Sequence, residues 1–380
     1  MRRTRRSALS IFLSLALLLT LCAGTLAWAA PAGKIRVVRL DCGRKYFSVP
    51  QIKEILDEMA KDGYTHLELA VGNNGCRFLL DDMHMSANEV SYSSDQIRHA
   101  LLEGNRVFYD DPNGNALTQA EMDELFSYAG DRGISLYPMM NTPGHCNAMV
   151  TAMQLLGVKD SEAESSMLGQ NLNMDLYSAK ESNFIRKLLG LYMAYFQSKG
   201  CSFFNMAADE VPTKDRAKYD LYTSYVNTLA AQVKRYGMRP IMFNDGIYYD
   251  GRNLGQFDKD IIVAYWIPPV GDVEPVASPE TIRSQGHDIL NSSFLWYYVV
   301  GVNEDSSQIN YNPFSYHWSK RGMKAAPYST LADGTKDPEV LGAVVSIWCD
   351  TPKYRYDSAK VLDLIRTFPE QNPALFSENT

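Results

Sequence analysis

Phe203-Phe204-Asn205-Met206-Ala207-Ala208-Asp209-Glu210-Val211 opens as a short apolar run and closes on two adjacent carboxylates. Coming just after Lys199-Gly200, such a run reads as a buried strand. A strand ending in Asp-Glu delivers two acids to one end of a sheet. In a parallel barrel, the C-terminal ends of the strands are where chemistry sits. Taken alone, the pair fits a helix cap or a solvent-facing turn equally well. The decision rests on whether the rest of the chain supplies further strands with matching ends.

Seven other runs read as strands: Ile35 to Leu40, Thr65 to Val71, Ile134 to Met140, Arg239 to Asn244, Ile261 to Trp266, Asp288 to Asn291 and Gly342 to Trp348. Helical patterns separate most of them. Ser48 is placed to cap a helix in which Ile52, Ile55, Leu56 and Met59 follow helical spacing, and Gly63 ends it. Thr118-Gln119-Ala120-Glu121 is a capping box that starts a helix running to about Arg132. Helices are expected over Glu181 to Ser198, around Tyr219 to Tyr236, from Ser278-Pro279 and over Ser358 to Phe368. The stretch from Gly72 to Thr118 reads as a long loop carried on the scaffold. Eight short apolar strands alternating with helices predict a (β/α)8 TIM barrel in one catalytic domain, residues 31–380.

Residues 1–30 read as a signal peptide. Arg2, Arg3, Arg5 and Arg6 form a basic start, Ala8 to Leu21 an apolar core, and Ala27-Trp28-Ala29 a cleavage site of small residues. The apolar core is short for a permanent span, so export to the cell surface or medium is expected. The formal charge is −7, and loss of the four leader arginines leaves −11. So acidic a domain is a poor partner for nucleic acid. Cys42, Cys76, Cys146, Cys201 and Cys349 follow the leader. Their odd number and spacing suggest mostly buried free thiols rather than a disulfide framework. The His residues show no metal spacing.

The ends of the expected strands are what give the chain its chemistry. Asp41 and Arg44 follow the first, Asn73-Asn74 the second, Asn141 and His145 the third, and Asp209-Glu210 the fourth. Asn244-Asp245, Tyr265-Trp266, Trp296-Tyr297-Tyr298 and Trp348-Cys349-Asp350 follow the others. A barrel brings all of these to one pocket. Acetal cleavage needs a proton donor at the leaving oxygen and negative charge beside the developing oxocarbenium ion. Two carboxylates supply both, aromatic rings stack on a sugar face, and an Arg holds hydroxyls.

These motifs resemble glycoside hydrolase family 20, the β-N-acetylhexosaminidases. The resemblance runs from about Ile35 to Phe368 through Leu40-Asp41-Cys42-Gly43-Arg44, Asn141-Thr142-Pro143-Gly144-His145, Phe204 through Glu210, Phe243-Asn244-Asp245-Gly246, Trp296-Tyr297-Tyr298-Val299 and Trp348-Cys349-Asp350-Thr351-Pro352. The pattern is similar to Gram-positive surface exo-β-N-acetylglucosaminidases and to lacto-N-biosidases. The resemblance implies substrate-assisted retaining catalysis, in which the substrate's own 2-acetamido oxygen attacks the anomeric carbon. By that resemblance Asp209 orients the acetamide and Glu210 is the acid/base. Tyr297 would hydrogen-bond the acetamide oxygen, and Trp266 and Trp348 would wall the pocket. Arg44 and Asp350 would hold sugar hydroxyls, and His145 would stand behind Glu210. It implies no metal and no organic cofactor, and a glycan with a terminal N-acetylhexosamine as partner.

The sequence departs from the family pattern in three places. Ala207 stands where the family has Gly, Asn73-Asn74 where many members have Asp, and Asp350 where many have Glu. Two other classes compete: a barrel that binds glycans without cleaving them, and a metal-dependent barrel hydrolase. Asp111-x-Asn113-x-Asn115 mimics the start of a calcium loop, but Ala116 occupies the glycine position, which favours plain turn chemistry.

Overall fold

The computed structural model describes residues 33–108, 114–159, 164–165, 172–211, 216–247, 256–269, 276–301 and 316–377. The expected leader, residues 1–30, lies outside them, as do Asp111 to Asn113 of the calcium-like run.

Eight parallel strands close into a barrel. They are β1 (Ile35–Leu40), β2 (His66–Asn73), β3 (Ser135–Met140), β4 (Phe203–Ala207), β5 (Arg239–Phe243), β6 (Ile262–Tyr265), β7 (Ile289–Asn291) and β8 (Gly342–Trp348). Sequential neighbours pair, and β1 closes the ring by pairing with both β8 (Ile35 beside Gly342 through Leu40 beside Ile347) and β2 (Val37 beside His66). The helices are α1 (Val49–Lys61), α2 (Ser94–Phe108), α3 (Gln119–Gly130), α4 (Asn147–Leu155), α5 (Ala179–Ser198), α6 (Arg216–Arg235), α7 (Pro279–Ser284), α8 (Tyr316–Ala325) and α9 (Ser358–Gln371).

Strands buried on both faces are apolar at almost every position, and alternate residues sort into two cores. Val37, Phe203, Ile241, Ile262 and Val344 point into a smaller cluster inside the barrel. Val38, Phe204, Met242, Val263 and Val345 join the larger cluster that packs under the helices. The barrel interior also holds a polar layer. Arg39 Nε donates to Glu68 Oε1 at 2.6 Å and Nη1 to Ser292 Oγ at 2.8 Å, while Asn205 Nδ2 donates to Glu68 at 2.9 Å.

The expected caps are present. Gln51 Oε1 accepts from the Ser48 N–H at 2.9 Å, and Thr118 and Glu121 exchange bonds at the start of α3. The reading of Gly72 to Thr118 as a loop is corrected. It contains a hairpin (Met85–Ala87 against Val90–Tyr92) and the fifteen-residue helix α2. Gly104 and Asn105 disguise that helix as a turn, and both have tertiary reasons to be there. A Cβ on Gly104 would lie 2.4 Å from Ala148 O of α4, so the two helices meet through bare backbone. Asn105 pairs with both backbone groups of Cys76, at 2.7 and 3.0 Å. Three further helices, α4, α8 and the four-residue Pro373–Phe376, had no sequence expectation. All five cysteines beyond the leader are buried free thiols.

Candidate active site

The dyad sits on unusual backbone. The β4–β5 register skips Met206: Ile241 pairs with Asn205 and Met242 with Ala207. Bulges of this kind re-aim side chains next to active sites. Beyond it Ala207, Ala208 and Glu210 all have positive φ, at 54°, 58° and 51°. Each such non-glycine residue costs about 1 kcal/mol or more, so neighbours must hold it in place. Asn205 Oδ1 accepts from the Ala207 N–H at 2.8 Å, and Tyr222 Oη donates to the Ala208 carbonyl at 2.6 Å. Gly144 meets this segment edge-on, since a Cβ there would lie 2.7 Å from Asp209 O.

Each acid has its own environment. Asn141 Nδ2 donates to Asp209 Oδ1 at 2.6 Å. Glu210 Oε2 lies 2.9 Å from His145 Nε2, and no bond to Glu210 Oε1 occurs among the described residues. Burial pushes the Glu210 carboxyl up, but the hydrogen bond and charge of His145 and the charge of Arg44 outweigh it, and the net direction is down. Burial pulls the His145 imidazole down, yet the charge of Asp209 and the bond to Glu210 raise it overall, against opposition from Arg44. Each member of the pair thus favours the charged form of the other.

The other side of His145 shows what replaces the missing Asp. Arg44 Nη2 lies 3.2 Å from His145 Nδ1, and Arg44 Nη1 reaches Asp41 Oδ2 at 3.2 Å and Asp350 Oδ1 at 2.9 Å. A guanidinium only donates, so in the neutral ring Nδ1 accepts and Nε2 carries the N–H toward Glu210. Asn73 does not touch the ring. It donates to Asp41 and sits beside Asn141, tying strand ends together. Asp350 is half exposed, at 52%, while Arg44 and Asp41 are nearly enclosed, so the cluster opens to solvent on its Asp350 side.

The aromatic residues make a box over this floor. Trp266 and Tyr297 lie face to face, 8° apart in plane and 6.1 Å between centroids. Trp348 stands edge-on to Tyr297 at 5.7 Å, with Phe243 behind both tryptophans. Burial raises the Tyr297 phenol well above neutrality despite Arg39 and Ser292, so it stays a hydroxyl donor. Asn244 Oδ1 accepts from the Trp266 N–H at 2.7 Å, fixing the β6 end.

The structure thus brings Arg44, His145, Asp209, Glu210, Trp266, Tyr297, Trp348 and Asp350 to one end of the barrel through a connected set of contacts. Asp41, Asn141 and Asp245 also belong to it, although the sequence marked them only by their place at strand ends. Asp245 accepts from Glu210 N at 2.6 Å and from Trp266 Nε1 at 2.9 Å. Burial and then the charge of Asp209 raise its carboxyl, while the two N–H bonds favour its charged form. No group of three or more potential metal ligands occurs among the described residues, and none of the helices searched is long and apolar enough to cross a membrane.

An eight-stranded barrel with a carboxylate dyad at its C-terminal end, set in a box of tryptophan and tyrosine, defines a carbohydrate-processing class of site. Residues 34–361 match Glycosyl hydrolase family 20, catalytic domain, and the chain belongs to that family. A solved structure of the pneumococcal virulence factor StrH superposes with a TM-score of 0.83 at 36% identity, covering 90% of this chain and 86% of that one. The beta-hexosaminidase of Vibrio furnissii is 26% identical over 190 residues, 48% of this chain and 30% of its own length. The lacto-N-biosidase of Bifidobacterium bifidum is 21% identical over 262 residues, 63% of this chain and 22% of its own. The chain therefore spans less than a third of the length of these two relatives.

Proposed function

We propose that this chain is a retaining exo-β-N-acetylhexosaminidase that removes terminal β-linked GlcNAc from exported or extracellular glycans. The observation that carries the reading is the division of labour in the dyad. Asp209 is oriented sideways by Asn141, and Glu210 keeps one oxygen on His145 and the other open. Family membership and the likeness to StrH, studied for N-glycan recognition and hydrolysis, support the substrate class. The basic and apolar start of the chain supports export.

In this mechanism the acetamide lies in the box of Trp266, Tyr297 and Trp348. Asp209 accepts its N–H and Tyr297 donates to its oxygen. That oxygen attacks the anomeric carbon as the glycosidic bond breaks, and Glu210, reacting in its protonated form with Oε2 held by the neutral His145 Nε2–H, gives its Oε1 proton to the departing oxygen. Asp209 then balances the positive charge of the cyclic oxazolinium, an interaction that strengthens only as the charge develops. Water, losing a proton to Glu210, opens the ring with net retention.

The test is release of one chromophore from aryl β-GlcNAc, β-GalNAc, β-glucoside and β-lacto-N-bioside. Fast release from the GlcNAc compound and very slow release from the glucoside are expected. Comparable turnover of the glucoside, or a sugar trapped covalently on Asp209 or Glu210, would overturn the mechanism. Preference for the disaccharide would move the chain to lacto-N-biosidase activity.

A further inference from the structure

The last residue of the β5 end has no part in the mechanism above, yet it touches two parts of it. Asp245 is 8% exposed. Its Oδ2 accepts the backbone N–H of Glu210 at 2.6 Å, and its Oδ1 accepts the indole N–H of Trp266 at 2.9 Å. The Glu210 N–H belongs to a left-handed residue, φ 51°, that closes a run with Ala207 and Ala208. Asn205 and Tyr222 restrain the first two residues of that run through backbone groups. Asp245 restrains the third, the one that carries the acid.

We propose that Asp245 is a positioning residue whose single carboxylate ties the backbone of Glu210 to the ring of Trp266, so that proton donor and sugar-facing wall keep one relative geometry. Both bonds run from N–H donors into carboxylate oxygens, and each oxygen serves a different element. An aspartate is therefore required. An asparagine of the same shape has one acceptor oxygen and one NH2, which would face an N–H donor on whichever side it lay. The residue reaches no reacting atom in the mechanism above and acts through Glu210 and Trp266. Placement errors of about 1 Å at a catalytic group can lower rates about 100-fold, so a rigid tie has kinetic value.

The proposal rests on the reading of Glu210 as acid/base, and the experiment separates the two. Turnover of a poor-leaving-group glycoside and an activated aryl glycoside is measured for Asp245→Asn, Glu210→Gln and the double variant. Asp245→Asn should lower kcat on the poor leaving group about 100-fold, with KM rising much less, and the activated substrate should suffer less. In the Glu210→Gln background the same change should cost the poor leaving group less than about threefold, because the group being positioned is already gone. Full additivity, or no loss in the single variant, would overturn the role of Asp245. Equal losses on both substrates in Glu210→Gln alone would instead defeat the acid/base reading. Trp266→Phe keeps a ring and removes only the indole N–H, so it tests the tie even where Asp245→Asn does not fold. It should lower kcat as well as raise KM. A change in KM alone would show a wall with no link to the acid and would sink the proposal.

Discussion

Two arginines five residues apart carry ion pairs with opposite destinies. Arg39, on β1, is buried in the barrel with Glu68, both side chains at 0% exposure, and its N–H groups end on Glu68, Ser292 and Ser346. Phe243 lies 4.7 Å and Trp348 5.6 Å from its guanidinium. Arg44, in the loop after β1, meets Asp41, His145 and the half-exposed Asp350. The lower cluster is closed on protein partners. The upper one reaches solvent through Asp350 and meets Glu210 through His145. Ion pairs of one chemical type thus build the barrel where they are buried and border the candidate site where they reach solvent. A buried pair is a poor source of net stability but becomes costly when one half is removed.

The sharpest way to separate the two is to remove function from the upper level without touching the lower. Glu210→Gln should reduce turnover of poor-leaving-group substrates by about 10²- to 10⁴-fold and leave the unfolding midpoint nearly unchanged, since the amide still accepts from His145. Parallel rate and thermal-melt measurements check this. A large drop in melting temperature would mean that the dyad is part of the structural frame, and the distinction between levels would fail.

The converse experiment acts below. Arg39→Met should destabilise the protein by about 3–5 kcal/mol, because buried Glu68 loses its guanidinium partner and keeps only neutral donors such as Asn205. Denaturant unfolding measures the loss. The fraction that stays folded should bind substrate analogues with affinity close to that of the parent. A strong loss of affinity at unchanged stability would make Arg39 part of the binding site, acting through Trp348.

Arg44→Lys probes the upper pair with charge retained. A lysine ammonium cannot reach Asp41, Asp350 and His145 together as the planar guanidinium does. We expect kcat/KM to fall about 10-fold, roughly one charge-assisted hydrogen bond, and stability to change by less than about 1 kcal/mol. Unchanged kinetics would assign Arg44 to the surface of the protein rather than to its chemistry.

What the sequence disclosed follows from what each feature depends on. The strands were legible because burial on both faces writes itself as continuous apolar runs, and Gly342 to Trp348 matches to the residue. The acids, tryptophans and Arg44 were legible because a barrel sends strand ends to one place. The helix α2 was not, since Gly104 and Asn105 answer to Ala148 and Cys76, not to the helix itself. The left-handed turn at Ala207 and Ala208 leaves no mark in residues that seldom adopt it. The contact between Arg44 and His145 spans 101 residues and takes the place of a pairing that Asn73-Asn74 had left open. Asp245 stood in view at a strand end, but its two N–H partners come from different loops and no local spacing predicts them.

The smallest expected effect concerns pH, and it belongs to the upper level. The folded state raises the His145 imidazole above its ordinary value near 6.5. Its contribution to stability is therefore complete below about pH 6.5 and is lost as pH rises through the folded value. The folded state lowers the Glu210 carboxyl, so that contribution is complete above the ordinary value of about 4.5 and is lost as pH falls through the folded one. Together they favour a window of about pH 4.5–6.5. The parent protein should melt highest in that mildly acidic window and a few degrees lower near pH 8, a shift of about 1 kcal/mol being worth roughly 2–4 °C in a protein of this size. His145→Gln cannot take the proton, so the gap between parent and variant should shrink as pH rises above 6.5. A gap that stays constant from pH 5 to pH 8 would show that His145 carries no proton-linked stability and that its contact with Glu210 is a neutral hydrogen bond throughout.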